Sequence, residues 1–193
     1  TYMGRLLERL ESFNLEDFLD LRIYDVYAHA HPINTATLAM IVGIALRMER
    51  IRVQELGLAG LFADMGKARL PLELVNKPGR LSPSELLWAR THVAHSAAFA
   101  EGFRWASGVI RYTAAHHHER HDGTGYPKGL AGRSVAEEAY IVGLADAYDA
   151  MSSHRAYRKG LSEETILGEI RKGAGIQWDP ACVTAFLAAL EAG

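Results

Sequence analysis

Leu38-Ala39-Met40-Ile41-Val42-Gly43-Ile44-Ala45-Leu46 lies within the longest apolar stretch of this chain, residues 35–46. Apolar residues recur along it at the i, i+3, i+4, i+7, i+8 spacing of one helix face, namely Leu38, Ile41, Val42, Ala45 and Leu46. The spacing predicts a central, buried helix that turns this stripe toward the core. The stretch is too short to cross a bilayer as a helix, so we expect no membrane insertion.

Helical signals also dominate the sequence that follows. The pattern of residues 53–65 predicts a second helix that stops at Gly66. Ser82-Pro83-Ser84-Glu85 combines a capping serine, a proline in the first turn and a glutamate three residues after the cap, which predicts a helix start. Further starts are predicted at Ser162 and at Asp179-Pro180.

Two more helices are predicted on either side of a histidine-rich segment. An apolar stripe leads into this segment through Ala106, Val109, Ile110, Thr113 and Ala114, and a long helix follows it at about residues 135–152. No stretch alternates polar and apolar residues convincingly as a half-buried strand does. The sequence therefore predicts an all-α fold.

Length and composition limit the function classes. With 193 residues, 49% hydrophobic and 23% charged, the chain is expected to form one domain over residues 1–193, with residues 1–24 as a helical lead-in. A net charge of −2 argues against a general nucleic-acid or membrane-surface binder. Cys182 has no cysteine to pair with, which suits a reducing cytoplasm. Because the chain opens on Thr1, we expect a fragment of a longer, multidomain protein.

The histidine-rich segment is His117-His118-Glu119-Arg120-His121-Asp122-Gly123-Thr124-Gly125-Tyr126-Pro127. Successive helical residues point about 100° apart, so His116, His117 and His118 cannot all face one centre. His117 continues the apolar stripe and is predicted to face the core, where a buried imidazole needs a partner. His118 is the better second ligand, and His116 is less favoured.

Asp146 lies on a strongly apolar helix face, where a carboxylate must be paired, hydrogen-bonded or bound to metal. A buried salt bridge to Arg155 or Arg158 is the alternative to ligation. Asp149 shares the face and is expected to support a ligand. Oxygen and imidazole donors without thiolate suit Fe, Mn, Ni or Zn, and a coherent set is formed by His31, Asp64, His92, His117, His118 and Asp146.

These motifs resemble those of HD-GYP domains, a bacterial subgroup of the HD phosphohydrolase superfamily that hydrolyses cyclic di-GMP. The resemblance covers about residues 25–190. It is carried by Ala63-Asp64-Met65-Gly66-Lys67, Lys77-Pro78-Gly79-Arg80-Leu81, His92, the run from His117 to Pro127 with Gly129-Leu130-Ala131-Gly132, Asp146-Ala147-Tyr148-Asp149-Ala150 and Arg155-Ala156-Tyr157-Arg158. It implies a compact bundle of about seven to nine helices with the Gly-Tyr-Pro loop beside a metal site.

The resemblance also implies ligands and substrate contacts. One metal ion would be bound by His31, Asp64 and Asp146 with the histidine of the family's His-Asp pair, and a second by the bridging Asp64 with His92, His117 and His118. A glutamate that holds a third ion in some members is Tyr27 here, so a trinuclear site is not expected. Lys67, Arg155 and Arg158 would contact phosphates, and Tyr126 would shape the pocket wall.

Ala63 is the departure from the family pattern, because it stands where the family has the histidine of the His-Asp pair. A methyl group ligates nothing, so we expect one divalent ion to be well held and a second to be weakly held. Compensation by His29 or His95 and an engineered origin of Ala63 both stay open.

The function that the resemblance implies is a metal-dependent phosphodiesterase that hydrolyses cyclic di-GMP to pGpG or GMP. Asp64 and Lys67 would be its catalytic residues, and Ala63 would weaken its activity. The alternative is an inactive module that binds nucleotide or docks on a signalling partner such as a diguanylate cyclase domain.

Overall fold

The structure, a computed structural model, describes residues 26–153 and 160–191, so the predicted lead-in at 1–24 lies outside the described part. Within that part the chain forms nine α-helices: α1 (Val26–Ala45), α2 (Arg50–Ala63), α3 (Leu72–Val75), α4 (Pro83–Arg90), α5 (His92–Glu101), α6 (Gly108–His116), α7 (Glu137–Ser152), α8 (Glu163–Gly173) and α9 (Pro180–Glu191). The described residues form no strand, and the all-α prediction is confirmed.

The main core lies between α1, α2 and α7, with α8 and α9 packed against it. Helix α7 is the most enclosed element, since every residue from Glu138 to Ala145 is buried. A helix that is buried all round needs apolar residues all round, as its sequence provides. A second, smaller cluster surrounds Phe62 at the end of α2, where the rings of Phe99, Phe103 and Trp105 lie 5.5–5.7 Å from it.

Helix α1 is central, as predicted, but only part of its predicted stripe faces the core: Val42 is buried and Leu38 and Leu46 pack against the core, whereas Ile41 and Ala45 are exposed. Its buried side consists mainly of small residues, namely Thr35, Ala36, Ala39, Val42 and Gly43. Ile41 is 40% exposed and Ile44 is 65% exposed. Helix α2 packs closely along the small-residue side, with Leu56 against Gly43. Because the close approach leaves little room between the two helices, the larger side chains of α1 turn outward.

The predicted stop of the second helix at Gly66 is also wrong. Helix α2 ends at Ala63, and Asp64 leads into a 3₁₀ turn, Met65–Arg69, that contains Gly66. The glycine is needed for close approach, because a Cβ on Gly66 would lie 2.0 Å from the backbone oxygen of His92. Its own N–H donates to Ser96 Oγ at 2.8 Å. This contact seats the start of α5 directly on the turn after α2.

The predicted helix starts at 82–85, Ser162 and Asp179-Pro180 are confirmed. Ser82 Oγ accepts the N–H of Glu85 at 3.3 Å, and the Glu85 carboxylate accepts the N–H of Ser82 at 2.7 Å. These reciprocal bonds form a capping box, which satisfies two donors that the first helical turn leaves open. Ser162 caps α8 through the N–H of Thr165, and Asp179 accepts the N–H of Ala181 at 2.7 Å.

Candidate metal centre

Six predicted ligands meet where the ends of α2 and α6 and the start of α5 face the middle of α1 and α7. They are His31 from α1, Asp64 after α2, His92 from α5, His117 and His118 at the end of α6, and Asp146 from α7. Their donor atoms form two groups that share one carboxylate. The three-histidine group consists of Asp64, His92, His117 and His118, and the His31 group consists of His31, Asp64 and Asp146. Within each group all donor atoms lie within 4.8 Å of one another.

The three-histidine group contains buried polar atoms that need a partner. Within the described residues, Asp64 Oδ1, His92 Nε2 and His117 Nε2 are buried and accept or donate no hydrogen bond. The two imidazole nitrogens lie 3.3 and 3.9 Å from Asp64 Oδ1. An orphaned buried polar atom costs about 1–3 kcal/mol, so three in one cluster indicate a missing partner. A divalent cation satisfies all of them at once, and the donor set fits one.

The backbone fixes which imidazole nitrogen is available in this group. The Nδ1 atom of His92 lies 2.8 Å from the carbonyl oxygen of Ala89, and that of His117 lies 3.2 Å from the oxygen of Ala114. Since a carbonyl only accepts, each Nδ1 carries the proton and each Nε2 keeps its lone pair. Burial lowers the pKa of His92 to about 4 and also lowers the pKa values of His117 and His118. The three rings are therefore neutral at pH 7, the form that ligates metal.

The His31 group is organised by a further carboxylate. His31 Nε2 lies 2.8 Å from Asp146 Oδ1 and 3.1 Å from Asp64 Oδ2. On the other side of the ring, Nδ1 donates to Asp149 Oδ2 at 2.6 Å, and Asn34 Nδ2 donates to Asp149 Oδ1 at 2.7 Å. Carboxylates in this outer position orient a ligating imidazole and raise its basicity. Asp149 thus supports His31, as the sequence predicts.

The His31 group concentrates negative charge. Burial opposes protonation of His31, but hydrogen bonds to Asp146, Asp149 and Asp64 raise its pKa to about 11. Burial likewise opposes ionisation of Asp64, yet Lys67 and His31 hold the pKa of that carboxyl well below its usual range. The pKa of Asp146 falls to about 2, against its burial, through its hydrogen bond to His31. Ionised carboxylates buried this close together require cations, which suits a metal site.

Two glycines let the ligand-bearing segments touch backbone to backbone. Gly66 does this for His92, as described above, and Gly143 does it for His117. A Cβ on Gly143 would lie 2.3 Å from the backbone oxygen of His117. Helix α7 therefore packs directly against the end of α6. The contact is made at Gly143, one helical turn before Asp146.

Ala63 offers no donor to either group. Its side chain is 2% exposed and packs in the main core. The next residue, Asp64, forms an ion pair with Lys67, which lies in the 3₁₀ turn that follows. Lys67 is partly exposed, so its ammonium group, paired with the Asp64 carboxylate, is within reach of solvent.

The loop after α6 is held against the cluster from the outside. The ring of Tyr126 stacks on that of His118, with centroids 4.8 Å apart, and the Tyr126-Pro127 peptide bond is cis. Glu119 is 3% exposed, and its carboxylate accepts the backbone N–H of Lys128 at 2.7 Å and of Leu130 at 2.9 Å. Glu119 therefore ties the far side of the loop to the helix end that carries the ligands.

Some predicted or considered residues are not brought into the cluster. His116 is buried but stacks on Tyr112, with centroids 4.2 Å apart, and belongs to neither group. His95 is exposed and also belongs to neither group. Arg155 and Arg158 lie outside the described residues, as do the side chains of Tyr27 and His29.

Sequence reasoning missed three residues around the site. Asn34 supports Asp149 from one turn beyond His31, and Glu119 anchors the loop. Arg90 places its guanidinium carbon 4.8 Å from the ring centre of Tyr126. Glu119 directly follows His118, and this position could have indicated a role at the site. Arg90 and Tyr126 are far apart in sequence, so nothing in the sequence indicated their contact.

The helical fold gathers histidines and aspartates into two groups that could each hold a metal ion, and comparison with known proteins identifies the family. The chain belongs to the HD domain family, whose profile matches residues 15–182. A cyclic di-GMP phosphodiesterase of Pseudomonas aeruginosa is 34% identical over 170 residues, which make up 88% of this chain and 41% of that protein.

Two further matches show the range of relatives. A 3'3'-cGAMP-specific phosphodiesterase of Vibrio cholerae is 34% identical over 134 residues, 69% of this chain and 30% of that protein. This chain thus spans less than half the length of these curated relatives. Among solved structures, an HDG"Y"P protein from Bdellovibrio bacteriovorus has the same fold, with a TM-score of 0.67 at 21% identity over 83% of this chain and 51% of that chain.

Within the described residues, no helix combines the length and the apolar character that crossing a membrane requires.

Proposed function

We propose that this chain is a metal-dependent phosphodiesterase that hydrolyses cyclic di-GMP to pGpG or GMP. The observation that carries the proposal is the pair of donor groups that share Asp64. Two adjacent cation sites joined by one carboxylate suit phosphodiester hydrolysis, in which charge develops on both the attacking and the leaving oxygen. The names of the relatives, which include phosphodiesterases for cyclic di-GMP and for 3'3'-cGAMP, support the substrate class.

The chain's own residues would divide the work. Divalent ions, when bound, would supply Lewis-acid stabilisation of the phosphate and activation of water. His31, Asp64 and Asp146 would hold one ion, and the three-histidine group the other. Lys67, already placed beside Asp64, would neutralise charge on the phosphate oxygens and is the available proton source for the leaving oxygen. Arg155 and Arg158 complete the proposed phosphate contacts.

Ala63 is proposed to weaken this activity. The three-histidine group offers four donors, whereas the His31 group offers three and receives none from position 63. Loss of one ligand lowers affinity at that group, although water can fill the place. We therefore propose one tightly held ion, bound by Asp64, His92, His117 and His118, and one loosely held ion. Iron, manganese, nickel and zinc all suit these donors.

The second candidate is an inactive module that binds nucleotide or docks on a partner such as a diguanylate cyclase domain. The observation that favours it is the burial of Ala63 in the apolar core, which leaves the His31 group one donor short. The intact three-histidine group favours the enzyme instead, because its buried donors still require a cation.

The deciding experiment compares the natural chain with Ala63→His. Both are purified without oxygen, supplied with Mn²⁺ or Fe²⁺ and incubated with cyclic di-GMP, and products are followed by chromatography while bound metal is counted by mass spectrometry. Asp64→Asn serves as the inactive control. Turnover by the natural chain supports the enzyme, and turnover only by Ala63→His moves the binding module into the lead. If neither protein cleaves cyclic di-GMP while both bind metal, the phosphodiesterase proposal fails.

A further inference from the structure

We propose that Arg90 recognises a guanine base of the bound dinucleotide, a contact that would select guanine-containing substrates. The inference rests on the proposed function, because it assigns a base-reading residue to the same site. Arg90 is the last residue of α4, two residues before the ligand His92. Its role concerns which cyclic dinucleotide is bound, whereas the residues proposed above act on the phosphates.

The geometry places Arg90 at the edge of the cluster. Its guanidinium carbon lies 4.8 Å from the ring centre of Tyr126, and that ring in turn stacks on His118. Tyr126 therefore contacts both the exposed Arg90 and His118, a member of the three-histidine group. A phosphate under attack would lie at the buried donor groups, farther from solvent than the exposed Arg90. The groups of a dinucleotide that extend outward from there are its bases.

The charge of Arg90 is available for a ligand. Two other cations of the chain have carboxylate partners: Lys77 Nζ lies 2.7 Å from Glu85, and Arg120 lies 3.3 Å from Asp122. In the described ranges, no carboxylate lies within ion-pair distance of Arg90, which is exposed. Its guanidinium carbon lies over the Tyr126 ring, a contact that holds the group beside that ring. The N–H donors at the edge of the exposed guanidinium remain available to a ligand.

The chemistry of that edge matches guanine. A guanidinium donates two parallel hydrogen bonds to the O6 and N7 acceptors of guanine, and this is the commonest specific contact between arginine and a base. Adenine presents N7 beside an N6 amino donor, so the second bond is lost and two donors face each other. Phosphate also offers a pair of acceptors to arginine. The exposed position of Arg90 favours the base, and the experiment separates the two.

The test compares Arg90→Lys and Arg90→Gln with the natural chain and with Arg104→Gln, an exposed arginine after α5 that serves as the charge-matched control. Dissociation constants for cyclic di-GMP, 3'3'-cGAMP and cyclic di-AMP are measured by calorimetry on EDTA-treated protein, and kcat and KM on Mn²⁺-loaded protein. Both Arg90 variants should bind cyclic di-GMP roughly 10-fold or more weakly, with little change for cyclic di-AMP. Arg104→Gln should match the natural chain.

Each other outcome overturns the assignment. An equal loss for all three dinucleotides, partly rescued in Arg90→Lys, would identify a phosphate contact. Unchanged affinities would show that Arg90 faces no ligand. These results differ from failure of the proposed function, in which the natural chain itself would neither bind nor cleave any of the three dinucleotides. Thermal unfolding of the variants checks that an exposed substitution has left the fold intact.

Discussion

Replacing Gly143 by alanine should displace residues of the candidate metal centre. The added Cβ would lie 2.3 Å from the backbone oxygen of His117, where ordinary contact begins at 3.4 Å. The two backbones must therefore separate by about 1 Å, because neither is a flexible side chain. Overpacking of this kind costs roughly 1–3 kcal/mol, and contact with backbone places it at about 3. The higher helix propensity of alanine offsets about 1 kcal/mol of this cost, so the free energy of unfolding should fall by about 2 kcal/mol.

The assay measures stability and metal binding together. At roughly 2–4 °C per kcal/mol for a domain of this size, the midpoint of thermal unfolding in EDTA should fall by about 4–8 °C. A shift of about 1 Å at His117 should also weaken the ion in the three-histidine group at least about 10-fold, measured by calorimetry with Mn²⁺. Since Asp146 follows Gly143 by one turn of α7, the His31 group should weaken as well.

The matched control is Gly168→Ala, the same substitution in α8. A Cβ at Gly168 meets nothing within 4 Å. This variant should gain up to about 1 kcal/mol from helix propensity and bind Mn²⁺ as the natural chain does. The two substitutions are thus expected to change stability in opposite directions. If Gly143→Ala unfolds at the same temperature and binds as much metal as Gly168→Ala, the backbone contact has no structural importance and the reasoning is refuted.

Three further predictions concern the side chains around the ligands. Asp149→Ala removes the acceptor of His31 Nδ1, so Mn²⁺ affinity at the His31 group should fall about 10–100-fold in calorimetry, while binding to the three-histidine group persists. In Glu119→Gln one carboxylate oxygen is replaced by an amino group, so only one of the N–H groups of Lys128 and Leu130 keeps its acceptor. The free energy of unfolding in urea should therefore fall by about 2–3 kcal/mol, and equal unfolding midpoints would contradict this. Because the pKa of His31 is raised to about 11, it holds a proton at pH 8 that an entering ion must displace, whereas the other three ligand histidines are neutral there. Mn²⁺ that reaches the His31 group should release about one proton, detected as binding enthalpies that differ between buffers of unlike ionisation enthalpy; equal enthalpies would disprove the assignment.

Local signals in the sequence predicted the helix starts well, because a cap is a short-range device. The capping box at Ser82 and Glu85 and the cap at Ser162 involve residues three apart and need no tertiary contact. Burial was harder to predict. The large residues of α1 suggested that Ile41 faces the core. Because α2 approaches α1 closely, the buried face of α1 instead consists mainly of smaller residues such as Ala36 and Ala39. Which face is buried depends on the partner's shape, and a single helix does not contain that information.

The candidate site divides in the same way. The apolar stripe of α6 pointed His117 inward, and the apolar face of α7 marked Asp146 as a carboxylate in need of a partner. The sharing of Asp64 between two groups came from the resemblance to a family, and ligation itself stays a prediction until metal is measured. Contacts such as that of Arg90 with Tyr126 join distant loops and helix ends, so no periodicity or spacing could have indicated them.

The seating of α5 on Gly66 and of α6 on Gly143 has a consequence for how this chain tolerates sequence change. The positions of His92 and His117 depend on contacts between main-chain atoms, which every amino acid supplies. Interior side chains such as Leu144 can therefore exchange for others of similar volume over generations without displacing the ligands. Variation is absorbed by the apolar interior, while two residues without side chains carry the constraint. A survey of viable substitutions should find the chain permissive in its core and strict at these two glycines.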